Sequence, residues 1–121
     1  MATTDRCVTI CPYFRVHDGK LTEFKGLTER FLERASKEAG CLYYGFSFDG
    51  NLAHCREGYA DAESLLLHLR NVENLKPEMM SLSDVVRVEV HGAASEVAKL
   101  RAPMAEMKPQ FFTLENGFRK A

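Results

Sequence analysis

The sequence predicts an α+β domain in which one antiparallel sheet is covered on one face by helices, and three observations carry that prediction. Arg6 to Val16 and Asp84 to His91 alternate apolar and polar side chains with the period of two that a half-buried strand requires. Leu21 to Ala35 and Asp61 to Met79 repeat apolar residues at three- and four-residue steps, the period of a helix. Between them lie two runs, Cys41 to Asp49 and Leu52 to Tyr59, joined through Asp49-Gly50-Asn51 as a hairpin. The order β-α-β-β-α-β is the split-βαβ, ferredoxin-like plan, followed here by an α-β extension.

Each element has its own warrant. In the first strand Val8, Ile10, Phe14 and Val16 share one side and Thr9, Cys11, Tyr13 and Arg15 the other, and Pro12 predicts an edge position or a bulge. His17-Asp18-Gly19-Lys20 is a turn. Leu21, Phe24, Leu27, Phe31, Leu32 and Ala35 then form the apolar stripe of the first helix, with Gly40 as its terminator. Asp61 caps the second helix and Glu63 in its first turn suits the macrodipole; the pattern weakens past Pro77. Val86, Val88 and Val90 set the buried face of the fourth strand against Arg87, Glu89 and His91, and Gly92 closes it. A short helix through Val97, Leu100 and Met104, a breaker at Pro109 and the apolar segment Gln110 to Leu114 complete the chain.

Composition narrows the function. With 121 residues the chain is expected to form a single domain, 1–121, with a core over about 6–92 and a C-terminal extension over about 93–121. Sixteen basic against seventeen acidic side chains give a net charge of −1, so neither nucleic acid nor an anionic membrane is an expected partner. No apolar run approaches the roughly 20 residues of a membrane span, and Met1-Ala-Thr-Thr-Asp-Arg6 has no signal-type hydrophobic region, so a soluble, cytoplasmic protein is expected. Cys7 and Cys11, four apart on a strand, stand roughly 13 Å from each other and cannot chelate one ion unaided; together with Cys41 and Cys55 they read as reduced, buried thiols, and no metal site is expected. The second face of the sheet, rich in Tyr, Phe, Cys and Val, is expected to be covered by a second copy of the chain, as a homodimer.

His68 is the residue that most invites chemistry. It falls inside the apolar stripe of Leu65, Leu69, Val72, Leu75 and Met79, where an imidazole needs either a hydrogen-bond partner or a cavity, since a buried unpaired one costs roughly 1–3 kcal/mol. Asn71 lies one turn on, within about 60° around the helix at the usual 100° per residue. Tyr44, Phe46 and Phe48 share one strand face and suit a wall against a flat ring. Glu57 is the candidate to orient the imidazole. The competing reading makes His68 a hydrogen-bonded core residue and the aromatics plain core or interface. His17, His54 and His91 sit on a turn and two strands, without the third ligand a metal site needs.

Over about residues 7 to 80 the chain resembles the antibiotic biosynthesis monooxygenase-like family of the dimeric α/β-barrel superfamily. Three pieces carry the resemblance: Gly40-Cys-Leu-Tyr-Tyr44, which looks like the family's Gly-Cys-x-x-Tyr; Glu57-Gly-Tyr59-Ala-Asp61, which looks like its Glu-x-aromatic-x-Asp; and Ala62 to His68, similar to its Ala-x-x-x-His element with altered spacing. The resemblance implies a dimeric α/β barrel and a pocket between sheet and helices. There a small aromatic or quinol-type substrate is oxidised with molecular oxygen, without flavin, metal or other cofactor. His68, Asn71 and Glu57 would then be the catalytic groups, and Tyr44, Phe46, Phe48, Tyr59, Leu65 and Val72 would line the substrate. Other members of the superfamily bind haem, which would make His68 an axial ligand, and a non-catalytic dimer that binds a hydrophobic molecule is the third reading. Where Tyr59 stands the family's oxygenases carry tryptophan, which this chain lacks altogether.

Overall fold

A computed structural model describes residues 2–120. Five strands form one sheet in the order β2-β3-β1-β4-β5: β1 (Val8–Val16), β2 (Cys41–Asp49), β3 (Leu52–Tyr59), β4 (Ser83–Gly92) and β5 (Gln110–Thr113). The first four pair antiparallel, and β5 adds to β4 in parallel. This is the expected α+β, ferredoxin-like arrangement, extended by one strand. Helices α1 (Leu21–Ser36), α2 (Ala62–Asn71), α3 (Lys76–Leu82) and α4 (Ala94–Leu100) contribute their buried side chains to the core over one face. None of them is long and apolar enough to cross a membrane.

The core has two lobes along the sheet. Phe14, Val16, Phe24, Leu27, Phe31, Ala53, Val72, Leu75, Met79 and Leu82 form one, under α1 and α3. Val8, Ile10, Tyr59, Ala62, Leu65, Val88, Val90, Leu100 and Met104 form the other, under α2 and α4. The helical stripes read from the sequence supply most of the helix side of both lobes. His68 lies where they meet, between Leu65 of one and Val72 of the other.

Four local expectations change. Pro12 lies on a central strand, opposite Val88, not on an edge; the adjacent register slip between Tyr13 and Phe14 is the bulge that accompanies it. That slip also turns Val86 outward, 46% exposed, while Val88 and Val90 stay buried. The second helix ends at Asn71, and after a turn at Glu73–Leu75 a separate helix α3 starts with Pro77 in its first turn, where proline's missing N–H costs nothing. Strand β5 is parallel to its neighbour, so the sheet is mixed.

Gly40 has a different duty from the one its position suggests. Helix α1 stops at Ser36, four residues earlier. Gly40 instead passes against α2: a Cβ there would stand 2.2 Å from Ser64 Oγ and 2.5 Å from Ser64 Cβ, and its carbonyl accepts from Ala60 N–H at 2.9 Å. The hydroxyl can rotate away, but Ser64 Cβ is fixed to the helix. Gly40→Ala is therefore expected to push α2 off the turn and to cost about 1–3 kcal/mol in urea unfolding. A loss within experimental error would show that this contact yields freely.

Candidate active site

Three elements converge on His68. On β3 the inward row is Ala53, Cys55, Glu57 and Tyr59, so strand alternation alone buries a carboxylate. On α2 the phase is set at the start: Asp61 is extended and its carboxylate accepts from Ser64 N–H at 2.8 Å, which turns Ala62, Leu65 and His68 inward. The third element is the turn after α1, held by hydrogen bonds from Lys37 N–H to Arg34 O, Glu38 N–H to Ala35 O and Cys41 N–H to Glu38 O. It brings Glu38 over the end of α2.

The imidazole is enclosed, with His68 2% and Glu57 5% exposed. Both Glu38 carboxylate oxygens lie 2.9 Å from His68 Nδ1. A carboxylate accepts, so Nδ1 carries the proton and Nε2 is left with its lone pair. Nε2 faces Glu57 Oε1 at 3.5 Å, just beyond a direct hydrogen bond. Tyr59 donates its hydroxyl to that same Glu57 oxygen at 2.6 Å. The rings of Tyr44 and Tyr59 lie against the imidazole, with centroids at 5.3 and 5.1 Å.

Burial decides the protonation states. It raises the Glu57 carboxyl to about 7, against the smaller lowering effect of hydrogen bonds from Tyr59 and Cys55, and the nearby Glu38 carboxylate adds to the rise. Burial lowers His68 below its ordinary value, and the contacts with Glu38 that favour imidazolium offset this only in part. It also raises the Tyr44 and Tyr59 phenols and the Cys55 thiol, which therefore stay protonated. Near neutral pH the site thus combines a carboxylic acid able to give a proton with an imidazole able to take one.

The structure brings His68, Glu57, Tyr59 and Tyr44 together. Asn71 is close too, but it is exposed, and its side chain donates to Glu38 at 2.7 Å. Phe46 and Phe48 share the Tyr44 face of β2; both pack edge-on against Phe24, at 6.3 and 6.1 Å, and are half-buried. Leu65 is fully buried and Val72 nearly so, in the two core lobes that flank His68. The carboxylate that orients the imidazole is Glu38, not Glu57. Sequence reasoning passed over it because it lies in a turn, outside any periodic pattern; its only mark was an acid two residues before Gly40.

The remaining histidines stand apart. His17 pairs with Asp84 at 3.3 Å, His54 lies tilted against Tyr13 with ring centroids 4.7 Å apart, and His91 lies 3.3 Å from Glu89; β1 separates the strands of His54 and His91. Among the described residues no group of three or more His, Cys, Asp or Glu side chains is placed to hold a metal ion, and the four cysteines are free thiols. The residues around His68 do not fit haem ligation either: each ring nitrogen faces a carboxylate and two tyrosine rings crowd the imidazole, so an axial bond would require displacing Glu57. Two surface cavities lie away from the cluster. One of about 380 Å³ is bordered by Arg15, His17, Asn51 and Asp84, and one of about 360 Å³ by Glu89, His91, Phe112 and Leu114.

Comparison with solved structures relates the chain to known proteins. MupZ from Pseudomonas fluorescens is 48% identical, with 99% of this chain and 94% of MupZ matched and a TM-score of 0.95. A conserved protein from Methanosarcina mazei Go1 is 24% identical over 69% of this chain and 87% of its own, with a TM-score of 0.63. SnoaB, a cofactor-independent oxygenase from Streptomyces nogalater, is 16% identical over 70% of this chain and 90% of its own, also at 0.63. The last two show a shared fold. No protein-family model matches the chain, and no curated protein matches it.

Proposed function

Since the chain belongs to the family of MupZ, we propose for it a function that its own buried groups support: an enzyme that transfers protons at Glu57 and His68, without a cofactor, on a small, largely apolar substrate. The observation that carries this reading is the enclosed pair itself, a buried carboxyl 3.5 Å from the His68 nitrogen that Glu38 leaves free, with burial raising the Glu57 carboxyl to about 7 and lowering the imidazole. Purely structural demands are met more cheaply by apolar residues, because burying ionisable groups carries a desolvation penalty. Glu57 gives the proton, His68 Nε2 accepts one, Glu38 holds the tautomer, and Tyr59 keeps Glu57 in place.

A narrower reading within the same class is a cofactor-independent monooxygenase acting on an aromatic or quinol-type molecule. The fold shared with SnoaB and the unprotonated Nε2 of His68 favour it. A phenol that loses its proton to this base becomes an electron donor to oxygen, with Tyr44 and its neighbours on β2 as the wall for the ring.

Both readings are tested by incubating the purified protein with two panels. Quinols and anthrones are followed by oxygen uptake, and enolisable ketones by deuterium exchange from D2O. Turnover in either panel is expected, with a loss of about a hundredfold or more in Glu57→Gln and in His68→Ala. Oxygen uptake confined to the first panel selects the monooxygenase. Turnover indifferent to both substitutions would remove the acid-base reading.

We further infer a homodimer. Tyr13, Tyr43, His54, Arg56, Arg87 and His91 lie on the sheet face that no helix covers, beside Phe112, which is 40% exposed. Light scattering at twice the chain mass is the expected result.

A further inference from the structure

The C-terminal extension does more than lengthen the sheet. The shorter solved folds leave about three tenths of this chain unmatched, whereas MupZ matches nearly all of it. Within the extension, Glu96 on α4 is 2% exposed, and its carboxylate accepts the N–H of Ala62, the first residue of α2, at 3.0 Å. That N–H has no partner inside its own helix, and a carboxylate at the helix start is favoured by both the free donor and the macrodipole. Lys99 at 3.2 Å and Arg6 at 3.6 Å balance the buried charge. Beside it Val97, Leu100 and Met104 are buried to 1% or less, and the latter two pack in the lobe that holds Tyr59, Ala62 and Leu65. Helix α2 packs on α4 as well as on β2 and β3.

We propose that Glu96 is a positioning residue for the acid-base site, and that α4 is the clamp which seats α2 so that His68 meets Glu38 and Glu57. Helix α2 has ten residues, and His68 stands six positions beyond Ala62, roughly 9 Å along the axis. A rod so short moves as a unit, so a slip at Ala62 is passed to the imidazole. The contacts there are intolerant of a slip, since Glu38 holds Nδ1 at 2.9 Å and Glu57 stands 3.5 Å from Nε2. The same extension covers Tyr59, whose hydroxyl holds Glu57. Calling Glu96 a positioning residue rests on the acid-base reading of Glu57 and His68.

The test is nuclear magnetic resonance of the full chain with labelled histidine and glutamate, which needs no substrate. In Glu96→Ala the His68 Nδ1 proton is expected to exchange with water at least about tenfold faster. The titrations of His68 and Glu57 are expected to move toward their ordinary values. Glu96→Gln, which keeps an acceptor for the Ala62 N–H, is expected to restore the parent behaviour. Should Glu96→Ala not fold, Leu100→Ala serves the same comparison. Either variant folding at a lower Tm but with the His68 proton and both titrations unchanged would overturn the proposal and leave Glu96 a plain helix cap. Failure of the acid-base reading would show separately, as turnover indifferent to Glu57→Gln and His68→Ala.

Discussion

Glu57→Gln is expected to gain on the parent by about 3 kcal/mol of folding stability between about pH 4 and about pH 8, as measured by urea unfolding across that range. In the folded chain the Glu57 carboxyl is raised from 4.5 to about 7. Below 4.5 it is protonated in both states and contributes no difference. Between the two values the native state keeps a proton that the unfolded state has released, so stability falls as pH rises, and the loss is complete above about 7. Glutamine has nothing to ionise. Its carbonyl accepts the Tyr59 hydroxyl as Glu57 does. His68 acts in the opposite sense: its folded value is lowered, so its contribution is present above the unfolded value of 6.5 and is lost as pH falls through the folded one. Glu57→Gln is therefore expected to lack the parent's fall in stability between about pH 4.5 and about pH 7 and to retain the His68 contribution. Parallel curves for parent and variant would show that Glu57 ionises normally and is no proton donor near neutrality.

Phe24→Ala is the second large effect, an expected loss of about 3–5 kcal/mol. Phe24 has no exposed surface and is ringed by Phe14 at 5.7 Å, Phe48 at 6.1 Å and Phe46 at 6.3 Å, all tilted or edge-on. Removing the ring leaves a cavity that these neighbours close only by leaving their rotamers. Small domains hold about 5–15 kcal/mol in all, so the variant is expected to be marginal. The outcome also bears on function. A loss near 1 kcal/mol, with shifted Phe46 and Phe48 resonances, would mean that the β2 wall repacks easily and can yield to a ligand. The full loss means that Phe46 and Phe48 are held as core, and that Tyr44 is the part of the wall able to respond.

Much of the fold was legible because burial imposes periods. Alternation marked β1 and β4, three- and four-residue steps marked α1 and α2, and the Asp-Gly-Asn turn joined β2 to β3 with Gly50 at a φ of 58°. Where the expectation failed, a long-range contact overrode a local sign. Gly40 looked like a helix stop, yet it is small because Ser64 approaches it. Val86 looked buried until the register slip beside Pro12 turned it out. Asn71 shares the side of α2 near His68 as its spacing required, but a partner 33 residues away claims its side chain.

By itself, then, the sequence determined the α+β class, the order of elements, and the placing of His68 on the inward face of its helix, because side-chain direction follows from position along a helix or strand. Tertiary structure alone decided which groups meet. Glu38 comes from a turn with no period, and Glu96 reaches across from a helix 34 residues away in sequence. The protonation of the pair was likewise beyond the sequence, because it depends on how completely the surrounding elements exclude water. That exclusion raises the Glu57 carboxyl and lowers the His68 imidazole.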